Sequence, residues 1–244
     1  MPARFKAFSV HFLISLLLAF ASLLWVFKVW YPAPLHNALA VTHIFILLVA
    51  VDVTLGPILT AIVYKPGKAT LAFDLTVIAV LQLVALTYGL WAVSEGRPAW
   101  LVFNVDRFDV VQVKDIDLRH QDLAAREYQT PSWFGPRWVG ADRSAVSGQG
   151  DEIIFEAILG GPDIAQRPFL YRPLGEFSQA MRRRAQPIER LEQFNGEDKV
   201  ATIMAEWPFA SGWLPLMASA RPMVVLLGED NTKVLSVLPL KPWE

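Results

Sequence analysis

The sequence predicts a membrane protein: three transmembrane α-helices followed by an α+β extracytoplasmic domain with a mostly antiparallel sheet. Three observations predict it. The charges are segregated, with only Lys28, Asp52, Lys65, Lys68 and Asp74 between Ala7 and Val93. Each of three apolar runs reaches the roughly 20 residues that a helix needs to cross a bilayer. Beyond Ser94 the chain turns polar and shows strand and turn signals. Residues 1–95 therefore read as a three-span membrane domain, with spans at about 7–27, 38–64 and 71–93, and residues 96–244 as an outer domain.

The spans must be helical, because hydrocarbon offers no partner to an unpaired backbone group. The first run, Ala7 to Phe27, has no Asp, Glu, Lys or Arg. It exceeds the 7–15 residues of a signal-peptide core, and the small-x-small site Ala38-Leu39-Ala40 lies far downstream, so retention is expected. Lys and Arg in short loops set direction. Arg4 and Lys6 precede the first span, and Lys65 and Lys68 separate the second from the third, so both segments are expected in the cytoplasm. Three spans then place the region from Ser94 onward outside, in the periplasm of a bacterial inner-membrane protein. Trp25, Trp30, Tyr31, Trp91 and Trp100 are expected to form the outer aromatic belt.

The stretch "THIFILLVAVDVTLGPILTAIVYKPGK" carries an acid, Asp52, and a helix-weakening pair, Gly56-Pro57, inside an apolar run. The tight turn at Pro66-Gly67 makes spans two and three an antiparallel hairpin. Counting about 12 residues up each arm puts Asp52 and Gln82 at one level, roughly 18 Å from the turn. Ser22 of span one falls within about a turn of it, so an Asp52–Gln82–Ser22 cluster is expected. A mid-membrane acid costs about 2.5–3.5 kcal/mol, met by protonation, pairing or facing protein. Three uses compete: helix–helix glue within the bundle, a docking point for a partner's transmembrane helix, and a proton or ion relay. Thr54 and Thr60 are candidates to bond the carbonyl freed by Pro57. Asp74 is expected beside Lys68, in the first turn of span three.

In the outer domain, "PAWLVFNVDRFDVVQV" reads as strand, turn, strand. "DIDLRHQDLAAREYQ" has charges at helical spacing, "PSWFGPRWVGA" reads as a loop, and "DEIIFEAILGG" as a short helix. "GPDIAQRPFLYRPL" reads as a Pro-punctuated loop. "GEFSQAMRRRAQPIERLEQFN" reads as a helix that breaks before Pro187, and "EDKVATIMAEW" as another. "WLPLMASA", "PMVVLLG" and "TKVLSVLPL" read as strands, the last two joined by a hairpin at "GEDN". The exposed-looking Trp133, Phe134, Trp138, Trp207 and Trp213 fit either a core or an interface.

Several function classes find no support. The net charge of -1 gives no pull toward nucleic acid. With no cysteine, disulfides, thiolate metal sites and thiol catalysis are excluded. No phosphate-binding, dinucleotide-binding or zinc-protease motif occurs, nor a nucleophile elbow. The outer domain has one histidine, His120. Asp106, Asp109, Asp115, Asp117 and Asp122 lack calcium-loop spacing, and Arg182, Arg183 and Arg184 point in different directions on a helix. No cofactor, metal or catalytic residue is expected, and no enzyme.

The strings "ARFKAFSVHFLIS", "WYPAPLHNALAVTHIF", "VDVTLGPILTAIVYKPGKATLAFDLTVIAVLQL", "GRPAWLVFNVDRFDVV", "PSWFGPRWV" and "GGPDIAQRP" in this order resemble the type IV pilin accessory proteins of the TfpX/TfpZ family. The resemblance implies a non-enzymatic role in pilus biogenesis at the inner membrane, with the cognate major pilin as partner, and the pilus assembly platform and membrane lipid as further ones. It also implies that the partner helix is apolar and carries a glutamate, as type IV pilins do. Asp52, Gln82, Ser22, Gly56 and Pro57 are then the candidate pilin-contact or bundle cluster. The alternatives are a membrane-anchored extracytoplasmic sensor, for which no cytoplasmic output region is seen, and a transporter-associated subunit, for which no ionisable path is seen.

Overall fold

The computed structural model describes residues 2–142, 156 and 159–243. Three helices are long and apolar enough to cross a membrane. The first, α1 (Ala3–Trp25), continues through a π-helical turn, Val26–Trp30. A one-turn helix, α2 (Leu35–Ala38), follows. It is separated from α3 (Val41–Val63) by Ala40, which takes a left-handed conformation, φ 53°. That break is why the second apolar helix starts at Val41 and not at residue 38. The third apolar helix is α4 (Leu71–Glu95). Lys68 pairs with Asp74 at 2.6 Å, and the Thr70 hydroxyl donates to the same carboxylate.

The chain divides into two compact units, Met1–Val29 with Ala40–Gly96, and Trp30–Leu39 with Arg97–Glu244. Residues 30–39, expected within the 1–95 unit, thus belong to the second. The chain passes between the units three times.

The second unit is built on one sheet of seven strands, in the order β4-β3-β1-β2-β5-β6-β7. The strands are β1 (Pro98–Asn104), β2 (Arg107–Gln112), β3 (Arg137–Ala141), β4 (Tyr171–Pro173), β5 (Ala210–Met217), β6 (Met223–Gly228) and β7 (Lys233–Leu238). Neighbours are antiparallel except β1–β3 and β2–β5, which are parallel. Glu229, Asp230 and Asn231 all take positive φ in the β6–β7 turn, as short polar turn residues tolerate.

Registration assigns each strand residue to a face. Phe103, Phe108, Leu216 and Met223 are cross-strand partners in one row over four strands. All four are buried in a core shared with Leu35 and Ala38 of α2 and with Met181 of α5 (Ser178–Arg184). The opposite face is covered in two places. Trp100, Val102 and Val139 pack with Tyr128, Leu170 and Tyr171. Trp213, Val224 and Leu226 pack with Leu191 and with Val200 of α7 (Glu197–Met204), which follows α6 (Glu192–Asn195). Cover on both faces explains why β1 and β6 are fully buried, near-continuous apolar runs rather than alternating ones.

Several local expectations are corrected. Trp100 is not in an interfacial belt: it is fully buried, its ring edge-on to Tyr128 and Tyr171. Residues 113–128 form short 3-10 turns, because left-handed His120, φ 60°, interrupts any helix. The end of "PSWFGPRWVGA" is β3, and Tyr171–Pro173 is a short strand pairing with it. The 175–195 segment is several pieces: Gln186 leaves the helix to bridge Trp213, whose indole donates to the Pro187 carbonyl at 2.9 Å. The helix expected at "DEIIFEAILGG" lies mostly outside the described residues. Trp213 belongs to the core, whereas Trp133 and Phe134 are exposed.

An ion-pair network ties three segments of this unit together. Arg119 bonds Asp117 and Glu156, and buried Arg167 bonds Glu156 at 2.6 Å. Burial alone would raise Asp117, but hydrogen bonds from Arg119 outweigh it and hold the carboxyl below its ordinary value. Hydrogen bonds from Arg119 and Arg167 lower Glu156 too. Burial instead raises Asp109, against hydrogen bonds from Asn104 and Arg107.

Two predictions follow from this packing. Leu35→Ala should destabilise the second unit by about 2–5 kcal/mol, as loss of a buried leucine does, read as an earlier midpoint in denaturant unfolding followed by tryptophan emission. Carboxyls held below their unfolded values stabilise above the ordinary carboxylate range, and that stability is lost as pH falls through the folded values. Asp109, raised, works in the opposite sense. Arg119→Ala should therefore cost stability at neutral pH and progressively less as pH falls below the ordinary carboxylate range; an equal cost at neutral and acid pH would contradict this assignment.

Candidate functional site

The candidate site lies in the unit of apolar helices. Its geometry follows from α3, which packs against both α1 and α4, while α1 and α4 barely approach each other. The α1–α3 register is marked at both ends. Arg4 Nε donates to the Tyr64 carbonyl at 3.2 Å, His11 Nδ1 and Thr60 Oγ1 share a hydrogen bond at 2.6 Å, and the Phe27 and Phe45 rings meet edge-on at 5.9 Å.

Two close approaches set the α3–α4 pairing. A Cβ on Gly56 would collide with the side-chain amide of Gln82, and a Cβ on Gly89 with Leu48. Small residues at such points let apolar helices come near enough to gain dispersion contact. At the first point Gln82 Nε2 donates to the backbone carbonyl of Asp52 at 2.8 Å. Gln82 Oε1 is buried and has no hydrogen-bond donor among the described residues. Leaving such an acceptor unmet costs about 1–3 kcal/mol.

Asp52 and Gln82 line two hollows. On one side is a groove of about 500 Å³ between α3 and α4, walled by Leu47, Val51, Leu55, Leu59, Leu81 and Tyr88 among others. On the other is a pocket of about 90 Å³ reached by His11 and Ser15 of α1. In both, the polar groups are few and the walls apolar. Such a groove can take a second apolar helix and give it one polar contact.

The structure therefore brings together Asp52, Gln82 and Gly56, with Pro57 buried alongside. It does not bring Ser22 to them. Ser15 of α1 lines the small pocket with Asp52 and Gln82, and Ser22 is not among its lining residues. By level, the His11–Thr60 and Phe27–Phe45 pairs put about residue 19 opposite Asp52, so Ser22 lies within about a turn of it along the helix. Nor do Thr54 and Thr60 cap the carbonyl freed by Pro57. Thr54 donates to the carbonyls of Ala50 and Val51, and Thr60 is engaged with His11. Helix α3 runs through Pro57 without interruption. His11, Ser15 and Thr60 were missed as lining or neighbouring groups, although the signal was present: His11 and Ser15 are four apart, and Asp52, Gly56 and Thr60 are spaced by four, so each set shares a helix face. Among the described residues no group of His, Cys, Asp or Glu could hold a metal ion.

Comparison with known proteins places the chain in context. The family model "Fimbrial assembly protein FimB" matches residues 1–40. The fimbrial assembly protein of serogroup E1 of Dichelobacter nodosus is 31% identical over 191 residues, covering 75% of this chain and 72% of the relative. The serogroup I protein of the same organism matches to the same extent. That of serogroups C1 and C2 is 34% identical over 113 residues, 46% of this chain and 86% of the relative. No solved structure matches the chain.

The register is open to a direct check, since the chain has no cysteine. His11→Cys combined with Thr60→Cys should crosslink with a short thiol-specific reagent in native membranes. Ser22→Cys combined with Thr60→Cys should not. The reverse result would overturn this α1–α3 register.

Proposed function

Since this chain belongs to the fimbrial assembly protein family, we propose that it is a membrane-embedded accessory factor of type IV pilus biogenesis, of the TfpX/TfpZ kind, that receives the apolar helix of the cognate major pilin. The observation that carries this reading is the groove between α3 and α4, apolar except for Asp52 and Gln82. Hydrocarbon gives two apolar helices no hydrophobic reason to associate. Close packing and interhelical hydrogen bonds must do it. Gly56 supplies the first and the Asp52–Gln82 pair the second.

The pilin helix brings a glutamate to this partnership. Two carboxylates repel, so one is protonated, or the polar contact is made by the pilin's N-terminal amine. An ionised Asp52 carboxyl would suit either an acid O–H or an ammonium N–H. The accessory protein would hold the pilin in the inner membrane until the assembly platform takes it into the fibre. In this reading the N-terminus and the Lys65–Lys68 loop are cytoplasmic, and the second unit stands in the periplasm, where it meets the pilin head. The role is non-enzymatic and needs no cofactor.

The experiment is co-purification. The protein is tagged at its C-terminus, solubilised in mild detergent, and probed for the cognate pilin, with a non-cognate pilin as control. The wild type should retain the cognate pilin selectively, and Asp52→Leu should lose most of it while its own level is unchanged. Retention that survives Asp52→Leu would move the contact to the outer unit. No retention even after crosslinking in living cells would overturn the proposal.

A further inference from the structure

We propose that the turn Ser132–Pro136 is a lipid-facing foot of the second unit, with Trp133 and Phe134 seated in the headgroup region of the bilayer. The proposal rests on the membrane-spanning reading of the three apolar helices. Trp30 closes the first apolar segment. Arg97 follows the end of α4 at Glu95 by two residues. Both therefore stand within about 7 Å of where a helix ends, at no more than ~3.6 Å per residue. Trp133 touches both. The Arg97 guanidinium lies over its ring, 4.3 Å from the centroid, and the Trp30 ring is 5.9 Å away. The headgroup layer is only about 5–8 Å thick on each side of the hydrocarbon. A side chain held between Trp30 and Arg97, each a short reach along the chain from a helix end, is thereby brought to the level of that layer.

The composition of the turn suits that place. "TPSWFGP" has no charged residue. Trp133 is 54% and Phe134 81% exposed, although they are large and apolar. Their placement is not slack. The Phe134 N–H donates to Ser132 Oγ at 3.0 Å, Gly135 takes φ 98°, which favours glycine, and Pro131 and Pro136 flank the tip. Tryptophan, with its apolar body and one N–H, is the residue enriched at membrane–water boundaries.

The absence of cysteine makes the test clean. Phe134→Cys and, separately, Leu83→Cys on the exposed face of α4 are labelled with one small fluorophore. Each full-length protein is reconstituted, without pilin, in phosphatidylcholine–phosphatidylglycerol vesicles. Quenchers are nitroxide lipids, labelled either at the headgroup or deep in the acyl chain, and aqueous iodide. The Phe134 label should lose fluorescence to the headgroup nitroxide more than to the deep one and be shielded from iodide, whereas the Leu83 label should respond most to the deep nitroxide. If the Leu83 label behaves so but the Phe134 label is quenched by iodide alone, the turn faces water and the foot is refuted while the spanning reading stands. Shielding of the Phe134 label that appears only on adding pilin would make the turn a protein surface and also refute it. If neither label responds to nitroxide lipid, the spanning reading falls, and the foot with it.

Discussion

The packing of α4 onto α3 at Gly56 and Gln82 is the constraint on which the N-terminal unit depends. Gly56 has no side chain where Gln82 passes, so Gln82 can reach the Asp52 carbonyl. That hydrogen bond uses the second lone pair of a carbonyl already inside a helix. It also places the only acid of α3 beside the only amide of α4. Helix α1 joins α3 through Thr60 and Phe45, and its His11 and Ser15 line a small pocket with Asp52 and Gln82. The polar pair thus lines a hollow on either side.

The second unit depends on a different constraint: a sheet with two apolar faces must be covered twice. Its own helices and turns cover one face, and much of the other falls to α5 and to residues 30–39, which lie in sequence between two apolar helices. Leu35 and Ala38 are as buried as the strands they cover, and the Ala38 carbonyl accepts the N–H groups of Ala220 and Arg221 at 3.1 Å each. These contacts bridge about 180 residues of chain. Such distant pairings form late, because their loop-closure entropy is lost before they give any stability.

The apolar unit presents one polar pair in a setting of low dielectric, where a single hydrogen bond to a partner helix weighs more than it would in water. A pair such as Asp52–Gln82 can serve as internal glue and as an external contact together. The backbone bond from Gln82 is internal, while the two residues also line hollows on either side.

Much of this was readable in the residues themselves. The three apolar runs, the tight turn at Pro66-Gly67, the hairpin of β1 and β2 and the strand pair at the C-terminus are all local matters of composition, period and turn chemistry, and residue order alone determined them. So did the proximity of Asp52 and Gln82, because the short turn leaves two helical arms no freedom of register. Ser22 could not be placed in the same way. The link from α1 to α3 is long and partly folded, so their register is set by Arg4, His11 and Phe27 finding partners across the interface. Tertiary packing likewise decided that Trp100 is core and Trp133 is surface, since the two are the same residue type and only their neighbours differ. It decided that residues 30–39 serve the sheet, because a stretch of "YPAPLHNALA" carries no sign of which apolar surface, many residues away, it will be the one to cover.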